Sequence, residues 1–249
     1  MSGMKSYQNY IFDLYGTLVD IHTDEECKEL WETICQAYAG RGVSYTPAEM
    51  QKAYKRLLKQ EADKLPYEFP EPDVLNVFQQ IAVEKGGQIT RQQAVEIADL
   101  FRTTSREYIR LYEGAAELLK TLKQQGKKVY LLSNAQAAFT GPELKKLGID
   151  QFFDQIFLSS DHQCKKPDIH FYQKLLDTCG LDVRESIMVG NDAIADIAGA
   201  QKAGLDTFYF HSNLSPELEK TTCVSSTWKV MDGDFGKMAS MLCHRAAVR

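Results

Sequence analysis

The sequence predicts an α/β protein, a doubly wound parallel sheet covered by helices on both faces and interrupted near its start by a long helical stretch. Three observations carry that expectation. After Gly114, short apolar runs alternate with amphipathic segments of helical spacing, which is how a parallel sheet with crossover helices reads. From about Asp24 to Tyr112 the alternation gives way to helix after helix. The apolar runs also end in Asp13, Ser133-Asn134 and Gly190-Asn191-Asp192, and ligands of such sheets sit beyond the carboxyl ends of the strands.

The first expected strand is Tyr10-Ile11-Phe12, which ends at Asp13; Gly16 then permits a tight turn. In the helical stretch, Leu30, Trp31, Ile34, Cys35 and Tyr38 share one face. Thr46-Pro47-Ala48-Glu49 supplies an N-cap, a Pro at the first helical position and a capping-box Glu, and Thr90 with Gln93 repeats the device. Residues 65–72, with three prolines, break the helices and are expected to form a loop. Beyond Gly114, Leu118, Leu119 and Leu122 line a helix that Gly126 ends. Strands are expected at 128–132, 155–158, 186–189 and 207–210, and helices at about 142–147, 169–178 and 196–203. The segment from Ser225, with Trp228, Phe235, Met238 and Met241, is expected to add a last helix.

A chain of 249 residues can bury a substantial core. Its net charge of −5 is spread along the sequence, which argues against a nucleic-acid partner, because phosphate backbones need clustered Lys and Arg. No apolar run approaches the roughly 18 residues that span a bilayer, so no membrane partner is expected. No secretory signal is visible at the N-terminus. Cys27, Cys35, Cys164, Cys179, Cys223 and Cys243 are scattered without a C-x-x-C pair, which suits reduced thiols and a cytoplasmic location. Oligomeric state is not legible.

Taken singly, each strand-end residue could be a turn former or a cap. Together they carry a resemblance. Phe12-Asp13-Leu14-Tyr15-Gly16-Thr17-Leu18 resembles the first motif of the haloacid-dehalogenase superfamily, Leu131-Leu132-Ser133-Asn134 the second and Lys166-Pro167-Asp168 the third. Val189-Gly190-Asn191-Asp192, continuing through Asp196-Ile197-Ala198-Gly199-Ala200, resembles the fourth, in the family's order. The resemblance implies a Rossmann-like core at 1–18 and 108–249 with an inserted α-helical cap domain at 19–107.

It also implies roles. Asp13 would be a carboxylate nucleophile that forms a covalent aspartyl intermediate. Thr17, Ser133 and Asn134, with backbone N–H groups after Tyr15 and Ser133, would hold an anionic group. Lys166, rather than the competing Lys165, would neutralise charge where an anionic substrate meets a carboxylate. Asp13, the main-chain carbonyl of Tyr15 and Asp192 would hold Mg²⁺, a hard cation that takes oxygen ligands. Asp196, four residues on, could join them or serve as an N-cap.

Two departures matter. Family phosphatases carry a second Asp, the general acid/base, where this chain has Tyr15; the 2-haloacid dehalogenase branch has Tyr there, and a tyrosine where Tyr172 stands. The fourth motif points the other way. It is acidic in this chain but Ser/Asn-rich in that branch, although Asn191 takes the place of the family's first acid. Carboxylates crowded on one rim favour a cation among them. The expectation is therefore a Mg²⁺-dependent phosphatase acting on a small anionic monoester, with Tyr15 standing at the acid/base position. The alternatives are a hydrolytic 2-haloacid dehalogenase and a non-catalytic binding protein on the same fold. In the helical stretch, Arg41 and Arg56 could meet a second anionic group or simply be solvated, and Trp31, Tyr38, Tyr54 and Phe78 are expected to form its core.

Overall fold

The computed structural model describes residues 4–217 and 225–243. Cys223 lies outside the described residues; Cys27, Cys35, Cys164 and Cys179 are free thiols.

The chain opens with strand β1 (Asn9–Phe12) and β2 (Val19–Thr23), followed by helices α1 (Lys28–Ala39), α2 (Pro47–Ala62), α3 (Val74–Glu84) and α4 (Arg91–Ser105). Strand β3 (Arg106–Leu111) returns the chain to α5 (Ala115–Gln124), β4 (Lys128–Ser133), α6 (Ala137–Leu147), β5 (Gln155–Leu158), the short α7 (Ser159–His162) and α8 (Ile169–Cys179). Next come β6 (Ser186–Gly190), a π-helical segment (Ala193–Ala198), α9 (Gly199–Lys202), β7 (Asp206–Phe210), β8 (Trp228–Val230) and α10 (Phe235–Leu242).

Six strands form one sheet in the order β5-β4-β1-β6-β7-β8, and every pair is parallel. The chain grows to one side of β1 through β4 and β5, then to the other through β6, β7 and β8, so β1 and β6 bracket the switch point where such sheets open a crevice. Alternate residues feed two separate cores. Tyr10, Phe12, Leu131, Val189 and Phe208 pack on one face; Ile11, Leu132 and Met188 pack on the other, against Phe171, Tyr172 and Leu175 of α8. Burial on both faces is why these strands read as unbroken apolar runs.

Helices α1–α4 share a third core, built from Leu30, Trp31, Ile34, Tyr38, Tyr54, Phe78, Ile81, Ile97 and Phe101. Both expected capping boxes are present, at Thr46/Glu49 and Thr90/Gln93. Strands β2 and β3 are additions to the expected helices. They form an antiparallel pair with Ile21 opposite Ile109 at the base of the helical unit. In Arg106-Glu107-Tyr108-Ile109-Arg110-Leu111, the exposed residues are Glu107, Tyr108 and Arg110, two of them adjacent, which masks the period of two. Strand β8 is a further addition, before the expected last helix; it is three residues long, and Trp228 is half-buried against the sheet edge.

Helix α6 begins five residues before the expected Pro142 and holds that proline inside it. An interior proline forfeits a helical bond. The flanking Thr140 and Glu143 are both buried and bonded to Tyr15, which fixes this helix from outside.

Candidate active site

Strand β1 delivers Asp13 at its carboxyl end, where the Asp13 amide donates to the Val189 carbonyl at 2.9 Å and continues the ladder by one residue. Strand β4 ends in Ser133 and β6 in Gly190, so Asp13, Ser133 and Asn191 emerge on the same rim. A cavity of about 180 Å³ opens there, lined by Asp13, Tyr15, Ser133, Asn134, Lys166, Asn191, Asp192, Ala195 and Asp196, with Leu214 and Pro216 at one side.

Lys166 is the centre of the charge arrangement. Its buried ammonium donates to Asp13 Oδ1 at 2.7 Å and to Asp196 Oδ1 at 2.7 Å. Burial by itself would push this ammonium down, but the two carboxylates outweigh it and hold the pKa above the ordinary lysine value. Asp196 is also fully enclosed. Burial, opposed by Lys166 and reinforced by Asp13, raises its carboxyl well above the usual range. Its other oxygen, Oδ2, accepts from the amides of Asn191 and Asp192, both at 2.9 Å. Asp196 is thus the anchor of Lys166 and of the β6 loop, and not a cap of its own helix.

Asp13 Oδ2 accepts from Thr17 Oγ1 at 3.2 Å, and the same hydroxyl lies 3.2 Å from Asn191 Oδ1. Thr17 has no exposed surface and lies outside the cavity lining; it props up Asp13 rather than reaching a ligand. Asn134 is committed too. Its Nδ2 donates to the Lys166 carbonyl at 2.9 Å and its Oδ1 accepts from the Lys166 amide at 2.8 Å, so it holds the lysine's backbone in place. The Gly16 amide, expected as an anion donor, instead donates to the Val19 carbonyl at 2.8 Å and closes the turn after Tyr15. Ser133 is buried on the cavity wall, and Lys165 faces Glu71 at 3.5 Å away from the site.

Two glycines are dictated by close approach. Gly16 has φ +86°, and a Cβ there would lie 2.2 Å from Asn191 Nδ2. A Cβ on Gly190 would lie 2.3 Å from the Asp196 carboxyl.

The Tyr15 side chain leads away from proton transfer. Its hydroxyl donates to Glu143 Oε2 at 2.5 Å and lies 2.9 Å from Thr140 Oγ1. Burial first, and the Glu143 carboxylate next, push the phenol above its ordinary pKa. Glu143 also accepts from Arg102 Nε at 2.8 Å and from Arg106 at 2.7 Å, and the Arg102 guanidinium lies over the Tyr15 and Phe139 rings. The loop after Asp13 is thereby tied to α4, β3 and α6 at one buried carboxylate. Nothing in the sequence pattern singled out Glu143, Arg102 or Arg106, because their juxtaposition arises from three distant elements.

Asp192 caps the π-helical segment, with Oδ1 accepting from the amides of Ile194 and Ala195, both at 2.8 Å. Tyr172 is fully buried on α8 and donates to the Ala195 carbonyl, so its use is to pin that segment. Among the described residues no three Asp, Glu, His or Cys side chains converge closely enough to hold a metal by themselves. Mg²⁺ asks for less, one or two carboxylates with waters and substrate oxygens completing the shell. Asp13 and Asp192, which line the cavity together with Tyr15, fit that demand in chemistry.

The family model for haloacid dehalogenase-like hydrolases matches residues 7–204. The chain is 28% identical over 233 residues to the pyrimidine 5′-nucleotidase PynA of Streptococcus pneumoniae, covering 90% of this chain and 91% of that protein. Among solved structures, the 2-haloacid dehalogenase of Pseudomonas syringae superposes with a TM-score of 0.65 at 17% identity, covering 96% of this chain and 100% of that one. The HAD-hydrolase YfnB of Bacillus subtilis, solved bound to magnesium, superposes with a TM-score of 0.55 at 20% identity, covering 96% and 99%. At these identities the two structures speak for the fold. Among the described residues no helix is long and apolar enough to cross a membrane.

Proposed function

The chain belongs to the haloacid dehalogenase-like hydrolases, and from that premise we propose that it is a Mg²⁺-dependent phosphatase that cleaves a small phosphate monoester through Asp13. The observation that carries the proposal is the buried Lys166 ammonium, seated 2.7 Å from both Asp13 and Asp196. It fixes one Asp13 oxygen and leaves the carboxylate on the wall of a polar cavity. A dianionic phosphoryl group approaching a carboxylate needs such a cation beside it.

In the first step Asp13 attacks phosphorus, an O–P bond forms, and the bond to the alcohol oxygen breaks; the alkoxide takes a proton from water. In the second, water attacks the aspartyl phosphate, which restores the carboxylate and releases phosphate. Ser133 is positioned to donate to a phosphoryl oxygen from the cavity wall, while Thr17 and Asn134 act by holding Asp13 and Lys166. Asp13, the Tyr15 carbonyl and Asp192 would hold the Mg²⁺, which when bound offsets negative charge on the transferred group. The helical unit, residues 19–107 by this reading, serves as the cap that excludes water while Asp13 attacks. Cytoplasmic location remains part of the proposal.

Relatives named as phosphatases and nucleotidases support this reading and make a nucleoside 5′-monophosphate the first ester to assay. Tyr15 favours a second reading, the hydrolytic dehalogenase, because halide departs without a proton. Against it stands the cleft beyond Tyr15. Among the described residues its one guanidinium, Arg102, is already bonded to Glu143, and Glu25 and Glu71 stand where a haloacid carboxylate would have to enter. Phosphate and halide release, each measured with and without Mg²⁺, decide between them. The proposal expects phosphate release that chelation abolishes. Halide release that survives chelation, with no phosphate from any monoester, would overturn it. Phosphate or Mg²⁺ binding without turnover of any ester would make the chain a binding protein.

A further inference from the structure

A second cavity of about 350 Å³ continues the first, sharing Tyr15 and Asn134 as common walls. One side comes from the helical unit and its base, through Ile21, Glu25, Tyr54 and Leu58; the other comes from Gln136, Phe139 and Thr140 of the core. A monoester whose phosphorus sits at Asp13 must send its alcohol part past Tyr15 into this space.

Tyr54 is the feature that calls for a ligand. It is 6% exposed, its ring packs against Trp31, Phe78 and Phe101, and its hydroxyl has no hydrogen-bond partner among the described residues. Tyr54 lines the cavity, and its hydroxyl is not fully enclosed by protein. Burial, together with the nearby Glu25 and Glu71 and against the pull of Arg102, raises its pKa, so it stays a neutral donor and acceptor. A buried phenol commonly finds a partner, and leaving it without one costs free energy.

Of the other polar groups that line the cavity, Thr23 adds a neutral hydroxyl, and the rest are spent or negative. Gln136 donates to Glu71 Oε1 at 2.8 Å and to the Pro72 carbonyl at 2.9 Å, and accepts from the Val74 amide at 3.0 Å. Arg102 is held by Glu143; Arg106, which shares that carboxylate, lines a different cavity beside Asp99. Glu25 stands at the mouth, open to water on one side. Arg41 and Arg56 pair with Glu96 and Glu84 and line neither cavity.

We infer that this cavity selects an uncharged alcohol bearing N–H or O–H donors, bonded to Tyr54 and Glu25 against an aromatic and aliphatic wall, and rejects an alcohol carrying a second anionic group. The inference rests on the phosphatase reading and goes beyond it, because it fixes the chemistry of the leaving group from residues outside the catalytic rim. A second phosphate or a carboxylate here would face Glu25 and Glu71 with no uncommitted cation among the described residues that line the cavity, and like charges across a contact cost several-fold in affinity at least.

The test is a kinetic comparison of paired esters: glycerol 3-phosphate against 3-phosphoglycerate, and ribose 5-phosphate against ribose 1,5-bisphosphate. In each pair the uncharged alcohol is expected to have a kcat/KM about tenfold or more above its anionic partner. Glu25→Gln is expected to narrow the gap. Tyr54→Phe is expected to lower the ratio of kcat/KM for ribose 5-phosphate to that for p-nitrophenyl phosphate by about three- to tenfold, the worth of one hydrogen bond. An anionic ester turned over as well as its partner, or a ratio unmoved in Tyr54→Phe, overturns the inference while phosphate release keeps the underlying reading. Calorimetric binding of free uridine to wild-type and Tyr54→Phe protein gives a readout independent of turnover. Weaker binding in the variant supports the inference even if no ester is cleaved, and equal binding overturns it.

Discussion

Replacing Glu143 with alanine should be among the most damaging single changes available outside the catalytic rim. The side chain is 3% exposed and receives Tyr15 at 2.5 Å, Arg102 at 2.8 Å and Arg106 at 2.7 Å, with the two arginines 13% and 12% exposed. Removing one partner from a buried ion pair costs about 3–5 kcal/mol, because the surviving charge stays desolvated. Here two guanidinium groups are stranded, but each keeps an edge in water, so a loss of about 3 kcal/mol is expected, a large part of the roughly 5–15 kcal/mol that holds a domain folded. Urea unfolding followed by circular dichroism measures it, with the slope m checked so that the midpoint shift reports stability alone. Tyr15→Phe removes one donor to the same carboxylate and should cost about 1.5–3 kcal/mol. The two changes must not add, since the second removes a bond the first has already broken. A Glu143→Ala protein within about 1 kcal/mol of wild type, or strict additivity with Tyr15→Phe, would refute the reasoning.

Lys166→Met should lower phosphatase kcat by about 10²–10³-fold, as losing a preorganised charge at a reacting centre does, and a stopped assay on a phosphomonoester checks it. Gly16→Ala places a side chain at φ +86° and within 2.2 Å of Asn191, so it should cost at least about 1–2 kcal/mol in urea unfolding and depress activity by moving the Thr17–Asp13 contact. Stability should fall in acid. Burial alone would raise the Glu143 carboxyl, but Arg102, Tyr15 and Arg106 together hold its folded pKa below the ordinary value. Its contribution is therefore complete above that ordinary value and is lost as pH drops through the lowered one, and a thermal melt series from neutral to acid should show the loss shrink in Glu143→Ala.

How much of this was legible beforehand differs by element. The parallel sheet read clearly because strands buried on both faces, such as Val129–Leu132 and Ile187–Val189, cannot be anything but apolar. Thr46 and Thr90 announced their helices because a capping box is local chemistry. Strand β3 did not read, since Glu107, Tyr108 and Arg110 are exposed on both of its faces and its pairing with β2 depends on a residue ninety positions away. The rim residues Asp13, Ser133, Lys166 and Asp192 could be named from the family motifs they resemble, and they line one cavity. Their division of labour could not. Whether a hydroxyl at position 17 faces a ligand or a neighbouring carboxylate, and whether the phenol at 15 gives up a proton or is held by Glu143, is set by packing among distant segments. Asp196 shows the same limit, for a carboxylate four residues past Asp192 could have faced a metal and instead grips Lys166.

Everything proposed for this protein depends on a bond to the Asp13 side chain. Quenching the reaction in acid within the first turnovers and sequencing the peptide that spans residues 10–18 by mass spectrometry tests that directly. The expected result is the mass of one phosphoryl group on Asp13, present only with substrate and absent from an inactive Asp13→Asn protein. Steady phosphate release by an Asp13→Asn variant at the wild-type rate would contradict it.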